Sequence, residues 1–142
     1  MPERTASAAW SGGLKSGNGT VKIGRAGFEG AYSFPSRFEE GPGMSPEDLI
    51  AGAHAACYSM AFAAALEKAG LKPEQVETTA TATLETVDGA PTISRIHLVT
   101  RGRVPGVDND AFQKHAQDAK ANCPVSRLYK GAEISVDATL VQ

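Results

Sequence analysis

Residues 45–70 read SPEDLIAGAHAACYSMAFAAALEKAG, and this stretch predicts one long helix over residues 46–69. Ser45 is a good N-cap, and Pro46 suits the first helical position because its missing N–H needs no partner there. The two acidic residues that follow favour the positive end of the helix dipole. No further proline interrupts the stretch, alanine is abundant, and Gly70 suits the position just after the helix.

The predicted helix is small and apolar on almost every face. Its small residues include Ala51, Gly52, Ala53, Ala55, Ala56, Ala61, Ala63, Ala64 and Ala65. A helix that is apolar on most sides is buried on most sides. A single chain of 142 residues rarely encloses so long a helix. We therefore expect a second subunit to cover part of it.

Beyond the helix, apolar and β-branched residues alternate, which is typical of half-buried strands. The first strand ends at about Val87 and its alternating residues are Val76, Thr78, Ala80, Ala82 and Leu84. Asp88-Gly89 is a hairpin turn signal. The returning strand carries Ile93, Ile96, Leu98 and Val99. A second helix begins at the N-cap candidate Asp108 and runs to Asn122 or beyond. The final strand alternates Ile134, Val136, Ala138 and Leu140.

The segment before the long helix is rich in glycine, and its short runs predict an antiparallel meander of about three strands. The runs are residues 5–10, 20–23 and 30–34. Residues 37–43 read RFEEGPG, which predicts a loop. The predicted order is therefore βββ-α-ββ-α-β in a single domain over residues 1–142. This is an α+β fold with two main helices packed on antiparallel sheet strands.

Composition restricts the function classes. The formal net charge is −2 with basic and acidic residues interspersed, so nothing indicates a surface for nucleic acid or an anionic membrane. No stretch approaches the apolar length of a membrane span, and no apolar segment of a signal peptide follows the N-terminus. We therefore expect a cytoplasmic protein. Its cysteines should be reduced there, and a disulfide between them would be transient and catalytic rather than structural.

Two cysteines, Cys57 and Cys123, are the whole thiol inventory. Cys57 lies in the apolar helix, where an isolated cysteine is more often a small buried hydrophobe than a reactive group. Cys123 directly precedes Pro124, which disfavours the α region and predicts that it starts or ends a helix. Backbone N–H groups at a helix start stabilise a thiolate, the form that attacks or resolves. A loop cysteine without a partner remains the alternative.

Other uses of these residues have less support. A zinc site wants four ligands in closely spaced pairs, and neither the cysteines nor the histidines have that spacing. His54 precedes Cys57 by three residues and could meet it on one helix face, as a base or by packing alone. A serine hydrolase would carry the GxSxG pattern, which is absent. The acidic pair Glu47-Asp48 is more typical of a helix start than of glycosidase carboxylates.

Arginine is the remaining informative residue type. A thiolate that attacks a peroxide must be deprotonated at neutral pH, and the departing oxygen must be stabilised. A fixed guanidinium can serve both needs. Arg37, in the predicted loop, and Arg127, four residues after Cys123, are the candidates.

Two runs of sequence resemble one protein family. Residues 45–60, together with Arg37 and with the NCPVS run at 122–126, resemble the OsmC/Ohr family of thiol-dependent peroxidases. The similarity is closest to the OsmC branch, the osmotically inducible proteins. The glycine-rich meander with its Ala-x-Trp and the VPGVD run at 104–108 also match, so the resemblance covers nearly the full chain.

The resemblance implies an intertwined homodimer with active sites at the subunit interface. It implies that hydroperoxide oxidises Cys57, the nucleophile, to a sulfenic acid, and that Cys123 resolves it as a disulfide. Arg37 would lower the pKa of Cys57. Glu47 would hold Arg37 in place, with Asp48 as the alternative carboxylate.

One distance conflicts with these roles. On a straight helix Glu47 and Cys57 would be about 15 Å apart, too far for one arginine to contact both comfortably. Either the helix breaks near Gly52, or its first turn folds separately, or the partner subunit supplies Arg37.

We therefore expect a hydroperoxide reductase that acts on organic hydroperoxides and hydrogen peroxide, without metal, flavin or haem. A lipoyl protein or a small thiol would return the electrons. A partly apolar pocket would favour organic hydroperoxides, and its expected lining is Phe38, Met44, Tyr58 and Met60. The alternative is a non-catalytic peroxide sensor or redox-regulated binding protein that uses the same cysteine pair. A hydrolase or isomerase based on Cys57 and His54 is a third option.

Overall fold

The computed structural model describes residues 2–25 and 27–142. Within these residues the chain forms six strands and four helices. In chain order they are β1 (Ala6–Ser11), β2 (Asn18–Ile23), β3 (Phe28–Tyr32), α1 (Phe34–Phe38), α2 (Pro46–Lys68), β4 (Gln75–Val87), β5 (Ala90–Arg103), α3 (Asn109–Asn122), α4 (Pro124–Leu128) and β6 (Glu133–Val141). The α+β class and the predicted order of main elements are confirmed, and α1 and α4 are short additions.

The chain divides into two compact units, the first ending at Asp48 and the second beginning at Leu49. The first unit contains β1 to α1 and the first turn of α2, and the second contains the remaining elements. The prediction of a single domain over residues 1–142 stays a prediction.

The predicted meander forms the sheet of the first unit. β1, β2 and β3 lie in that order, and both pairings are antiparallel. Gly19, in the central strand, lies opposite Trp10 on one side and Tyr32 on the other. The two aromatic residues therefore flank a position that has no side chain.

The loop predicted over residues 37–43 was wrong at its start, because α1 occupies the first two of these residues. Ser33 caps this helix: its Oγ accepts from the Ser36 N–H at 3.2 Å, and the Ser36 Oγ accepts from the Ser33 N–H at 2.8 Å. Pro35 then suits the first turn. A capping box with serine at both positions differs from the usual pattern, which ends in Glu or Gln.

α2 begins as predicted and ends one residue earlier than predicted. The Ser45 N–H donates to the Asp48 carboxylate at 2.8 Å, and the Asp48 N–H donates to Ser45 Oγ at 3.2 Å. This reciprocal pair satisfies amides at the helix start that would otherwise lack partners. One face of α2 is buried in the second unit. Its fully buried side chains recur every four residues and are His54, Tyr58, Phe62 and Leu66.

The opposite face of α2 is apolar and exposed within one chain. Its residues are Gly52, Ala53, Ala56, Met60 and Ala64. The expectation that a second subunit covers part of α2 stays a prediction. By length and composition alone α2 is apolar enough to cross a membrane, so the expectation that no stretch approaches such a span was wrong. The reason is that alanine counts as apolar and few charges interrupt the run.

The sheet of the second unit has the order β4-β5-β6. β4 and β5 form the predicted hairpin, and its turn residues Asp88 and Gly89 both have positive φ angles, 51° and 81°. Such a pair is typical of the tight turns that match strand twist. One detail differs from the antiparallel expectation, because β6 runs parallel to β5. The helical connection through α3 and α4 returns the chain to the same end of the sheet, as parallel pairing requires.

The core of the second unit lies between this sheet and the helices α2 and α3. Its fully buried members include Phe62, Leu66, Ile96, Leu98, Phe112 and Ala116. The Tyr58 hydroxyl donates to the Ala116 carbonyl at 2.9 Å, which joins α2 directly to α3. This packing brings the end of α3 beside the middle of α2, where the two cysteines lie.

Candidate active site

Cys57 and Cys123 lie side by side. Their Sγ atoms are 3.1 Å apart, and both are free thiols. Cys57 projects from the middle of α2 and is half-buried, whereas Cys123 is fully buried between α3 and α4. A disulfide bond is about 2.05 Å long, so closing the bridge requires the sulfurs to approach by about 1 Å.

Pro124 explains the position of Cys123. The backbone of Cys123 has φ −54° and ψ 127°, outside the α region, as expected before proline. Its N–H donates to the Ala119 carbonyl at 2.9 Å, and its carbonyl accepts from the Arg127 N–H at 3.0 Å. Cys123 thus lies between the end of α3 and the start of α4. The prediction that it starts or ends a helix is confirmed.

The surroundings of Cys57 raise its pKa above the ordinary value. Burial is the largest cause and the adjacent Cys123 thiol adds to it, whereas the Val125 backbone at the start of α4 lowers the pKa to a smaller extent. In one chain the thiol is therefore mostly protonated at neutral pH, and a nearby cation would be needed to form the thiolate.

Arg37 and Glu47 form an ion pair in the first unit. Arg37 Nε donates to Glu47 Oε1 at 3.0 Å, and the Glu47 side chain is only 10% exposed. Asp48 closes the capping box with Ser45, so Glu47 is the carboxylate that holds Arg37. The second oxygen of Glu47, Oε2, is buried without a hydrogen-bond partner among the described residues. It is free to accept one further donor.

α2 is continuous between Glu47 and Cys57. Ten residues at 1.5 Å rise place them about 15 Å apart along the helix axis. The helix therefore does not break near Gly52. Supply of Arg37 by a partner subunit stays a prediction.

The hydrogen bond of His54 is made to Ser126 rather than to Cys57. His54 is completely buried, and its Nε2 lies 2.7 Å from Ser126 Oγ. Burial lowers the pKa of His54, so the imidazole is neutral at neutral pH. This geometry gives no support to a Cys57-His54 nucleophile and base pair. Arg127, the second arginine candidate, is exposed on α4.

The four residues expected to line a substrate pocket lie in different environments. Tyr58 is fully buried in the core, and its hydroxyl is already bonded. Met44 packs in the first unit over Gly30, where a Cβ atom would meet its sulfur. Met60 is 75% exposed on α2. Phe38 lines a cavity in the first unit.

This cavity has a volume of about 200 Å³ and is lined mainly by aromatic side chains. Its lining consists of Trp10, Leu14, Tyr32, Ser33, Phe34, Arg37 and Phe38. The Arg37 guanidinium carbon lies 5.1 Å from the centroid of the Phe38 ring. The guanidinium that binds Glu47 therefore also borders an apolar cavity.

A family model described as OsmC-like protein matches residues 39–138 of the chain. The chain belongs to this OsmC-like family. It is 43% identical to the Peroxiredoxin OsmC of Escherichia coli strain K12 over 134 residues, which are 94% of this chain and 93% of that protein. The resemblance inferred from the two cysteine runs is thereby confirmed.

Solved structures of similar proteins have the same fold. The organic hydroperoxide resistance protein OhrB of Bacillus subtilis superposes with a TM-score of 0.72 at 22% identity, covering 96% of this chain and 98% of that one. An OsmC-like protein from Mycoplasma pneumoniae superposes with a TM-score of 0.75 at 16% identity, covering 99% of each chain. At these identities the likeness concerns the fold alone.

In this OsmC-like chain, sequence reasoning missed three aromatic lining residues, Trp10, Tyr32 and Phe34. The available signal was Gly19, which pairs with Trp10 on one strand and Tyr32 on the other. A Cβ atom at Gly19 would lie 2.7 Å from Trp10 Cε3 and 2.8 Å from Tyr32 Cε1. Glycine is thus required there because the two rings close over the strand.

Proposed function

We propose that this OsmC-like chain is a cysteine-based peroxidase that reduces organic hydroperoxides and hydrogen peroxide. The observation that carries the proposal is the 3.1 Å separation of two free thiols, one half-buried and one buried. The name of the Escherichia coli relative, a peroxiredoxin, supports it. We further propose that the protein acts in the cytoplasm as a single-domain chain, where a dithiol such as a lipoyl protein, or a small thiol, restores it.

The proposed reaction has three steps. The Cys57 thiolate attacks the terminal oxygen of the hydroperoxide, the O–O bond breaks, and the departing alkoxide takes up a proton as the alcohol. The Cys57 sulfenic acid then condenses with the Cys123 thiol, forming the disulfide and releasing water. A dithiol finally reduces this disulfide and is itself oxidised to a disulfide. Sulfur atoms thus supply the two electrons that reduce the O–O bond, and the dithiol returns them.

The test of this function is the number of hydroperoxide molecules that one chain reduces when dithiol is in excess. A peroxidase reduces many per chain. A sensor would stop at about one per chain and would leave the dithiol unused, which would refute the proposal. The net charge of −2 does not favour the alternative in which the protein is a redox-regulated regulator that binds DNA.

The Arg37–Glu47 pair of one copy is proposed to activate Cys57 of a second copy. Within one chain burial raises the pKa of Cys57, and the continuous helix α2 keeps Glu47 about 15 Å from Cys57 along its axis. A guanidinium from a second copy would favour the thiolate and stabilise the departing oxygen. The aromatic cavity beside Arg37 would then receive the apolar part of an organic hydroperoxide.

Replacing Arg37 with alanine is expected to slow the oxidation of Cys57 about a hundredfold. The pKa of Cys57 should rise, because the cation that favours the thiolate is gone, so alkylation of Cys57 should require higher pH. Alkylation rates against pH and stopped-flow oxidation rates measure the two effects. Arg37→Lys keeps the charge but not the forked geometry, and should recover part of the loss. An unchanged alkylation profile in Arg37→Ala would contradict this role.

A second copy is also the proposed cover for the exposed apolar face of α2. That face is formed by small residues around Met60, which is 75% exposed. An apolar stripe of this kind on a protein with a net charge of −2 fits another protein better than an anionic lipid surface. Its small side chains would allow two helices to approach closely.

Replacing Met60 with glutamate is expected to convert the dimer to monomers at micromolar concentration, because a charge would be buried in the interface. Sedimentation velocity measures the change. Peroxidase activity should fall with it, since Arg37 would no longer reach the second copy. Lys114→Glu, at an exposed position on α3, is the matched control and should remain dimeric. A wild-type protein that is already monomeric would contradict the proposed dimer.

A further inference from the structure

Three contacts join α2 to the segment that contains Cys123 and α4. They are Tyr129 Oη to the Ile50 carbonyl at 3.5 Å, His54 Nε2 to Ser126 Oγ at 2.7 Å, and Cys123 Sγ to Cys57 Sγ at 3.1 Å. From one contact to the next, the residue number increases on α2 and decreases on the second segment. We call these contacts the α2–α4 ladder. The cysteine pair is its last rung, and the contact between His54 and Ser126 is its middle rung.

The middle rung is the shortest and the most completely buried hydrogen bond of the ladder. His54 is 0% exposed and Ser126 is 4% exposed. The other ring nitrogen of His54, Nδ1, is buried without a partner among the described residues. An unpaired acceptor is tolerated better there than an unpaired N–H, so we assign the proton to Nε2, which donates to Ser126 Oγ. Among the described residues, Ser126 is therefore the only side chain that hydrogen-bonds to the His54 ring.

α4 is a short helix, and Val125 makes its apolar contact with the core. It is five residues long, and Ser126 is the only one of the five that is buried. Leu128, at its end, is 79% exposed. A helix of one turn has no stability of its own in water, so its position depends on the contacts it makes. The hydrogen bond to His54 is the buried polar contact among them.

We propose that His54 and Ser126 are positioning residues for the resolving step. Their hydrogen bond fixes α4 against α2, and so holds Cys123 Sγ within reach of the Cys57 sulfenic acid. In that step the sulfur–sulfur bond forms, the S–OH bond of Cys57 breaks, and the Cys123 proton leaves with the hydroxyl as water. The inference rests on the proposed peroxidase function, and it assigns neither residue a part in the attack on peroxide.

The test compares Ser126→Ala with wild type in two measurements. Equilibrium with glutathione gives the stability of the Cys57–Cys123 disulfide, which should fall about tenfold and so raise the reduction potential by about 30 mV. Stopped-flow mixing with hydroperoxide should show conversion of the sulfenic acid to the disulfide slowed by about tenfold, the size expected for one lost buried hydrogen bond. Formation of the sulfenic acid should change by less than about twofold.

Ser59→Ala is the matched control. Ser59 Oγ donates to Thr78 Oγ1 at 2.8 Å, so the control removes a hydrogen bond of similar length from the same helix, toward β4 rather than α4. It should lose thermal stability without a change in the potential or the resolving rate. If Ser126→Ala also leaves both quantities unchanged, or if it strengthens the disulfide, the proposal is overturned.

A second pair of variants covers a failure of Ser126→Ala to fold. His54→Gln keeps an N–H donor within reach of Ser126 and should retain a near-wild-type potential, whereas His54→Leu should reproduce the tenfold loss. Equal potentials in these two variants would overturn the proposal. The glutathione equilibrium uses no peroxide, so it tests the ladder even if wild-type protein fails to reduce hydroperoxide, which would refute the proposed function instead.

Discussion

Replacing Cys57 with serine is expected to lower the rate of hydroperoxide reduction by at least about a thousandfold. A serine hydroxyl is a far weaker nucleophile than a thiolate, and the peroxide bond needs a soft, electron-rich attacker. Cys123 cannot take over, because it is 0% exposed at the junction of α3 and α4. The measurement is hydroperoxide consumption coupled to dithiol oxidation.

The same variant should keep its fold. Cys57 is half-buried, and serine is close to it in size, so thermal unfolding should move by only a few degrees. A folded Cys57→Ser protein that still consumes peroxide at the wild-type rate would contradict the assignment of the nucleophile. It would show that the chemistry occurs away from the cysteine pair.

Replacing Cys123 is expected to separate the first step from the second. Cys123→Ser should reduce about one hydroperoxide per chain at the wild-type rate and then stall, with dithiol-driven turnover at least about a hundredfold lower. The physical reason is the 3.1 Å separation of the sulfurs, which makes resolution by Cys123 an intramolecular reaction. Trapping of the accumulated Cys57 sulfenic acid with dimedone, read by mass spectrometry, measures the effect.

A hydroxyl at the fully buried position of Cys123 lacks an assured partner and costs about 1–3 kcal/mol. Cys123→Ala avoids that cost and should show the same single turnover, which distinguishes lost chemistry from lost stability. Recovery of turnover by a small external thiol fits the scheme, since such a thiol can replace the resolving partner. Wild-type turnover with dithiol in both variants would exclude Cys123 as the resolving residue.

The long helix and its start could be predicted because their signals are local. Ser45 and Pro46 specify where α2 begins, and Asp88-Gly89 specifies the hairpin, through backbone preferences of the residues themselves. The direction of β6 could not be predicted in the same way. It depends on the path of α3 and α4 across the sheet, which no alternation of apolar residues within β6 reports.

Site chemistry was predictable only in part, for the same reason. The choice between Glu47 and Asp48 depends on which way each side chain points from the helix, and adjacent residues differ by about 100° around its axis. The partner of His54 lies 72 residues along the chain, beyond any local pattern. The sequence offered only the neighbouring Cys57 as a candidate partner, whereas the fold supplies Ser126.

The aromatic cavity illustrates a third kind of limit. Its aromatic residues come from β1, β3 and α1, and they are brought together by strand pairing rather than by spacing. In the sequence, only Gly19 indicated that Trp10 and Tyr32 lie close together. Which side chains pack against each other across neighbouring strands can be deduced only when the register between β1, β2 and β3 is known.

Whether Cys123 resolves oxidised Cys57 is shown by the fate of both sulfurs after one equivalent of cumene hydroperoxide reacts with the reduced protein. Peptide mass spectrometry without reductant, together with alcohol analysis, reads the outcome. We expect one cumyl alcohol per chain and a linked pair of peptides containing Cys57 and Cys123 of the same chain. Alcohol formed while Cys123 remains a free thiol, or a link only between chains, would contradict this expectation.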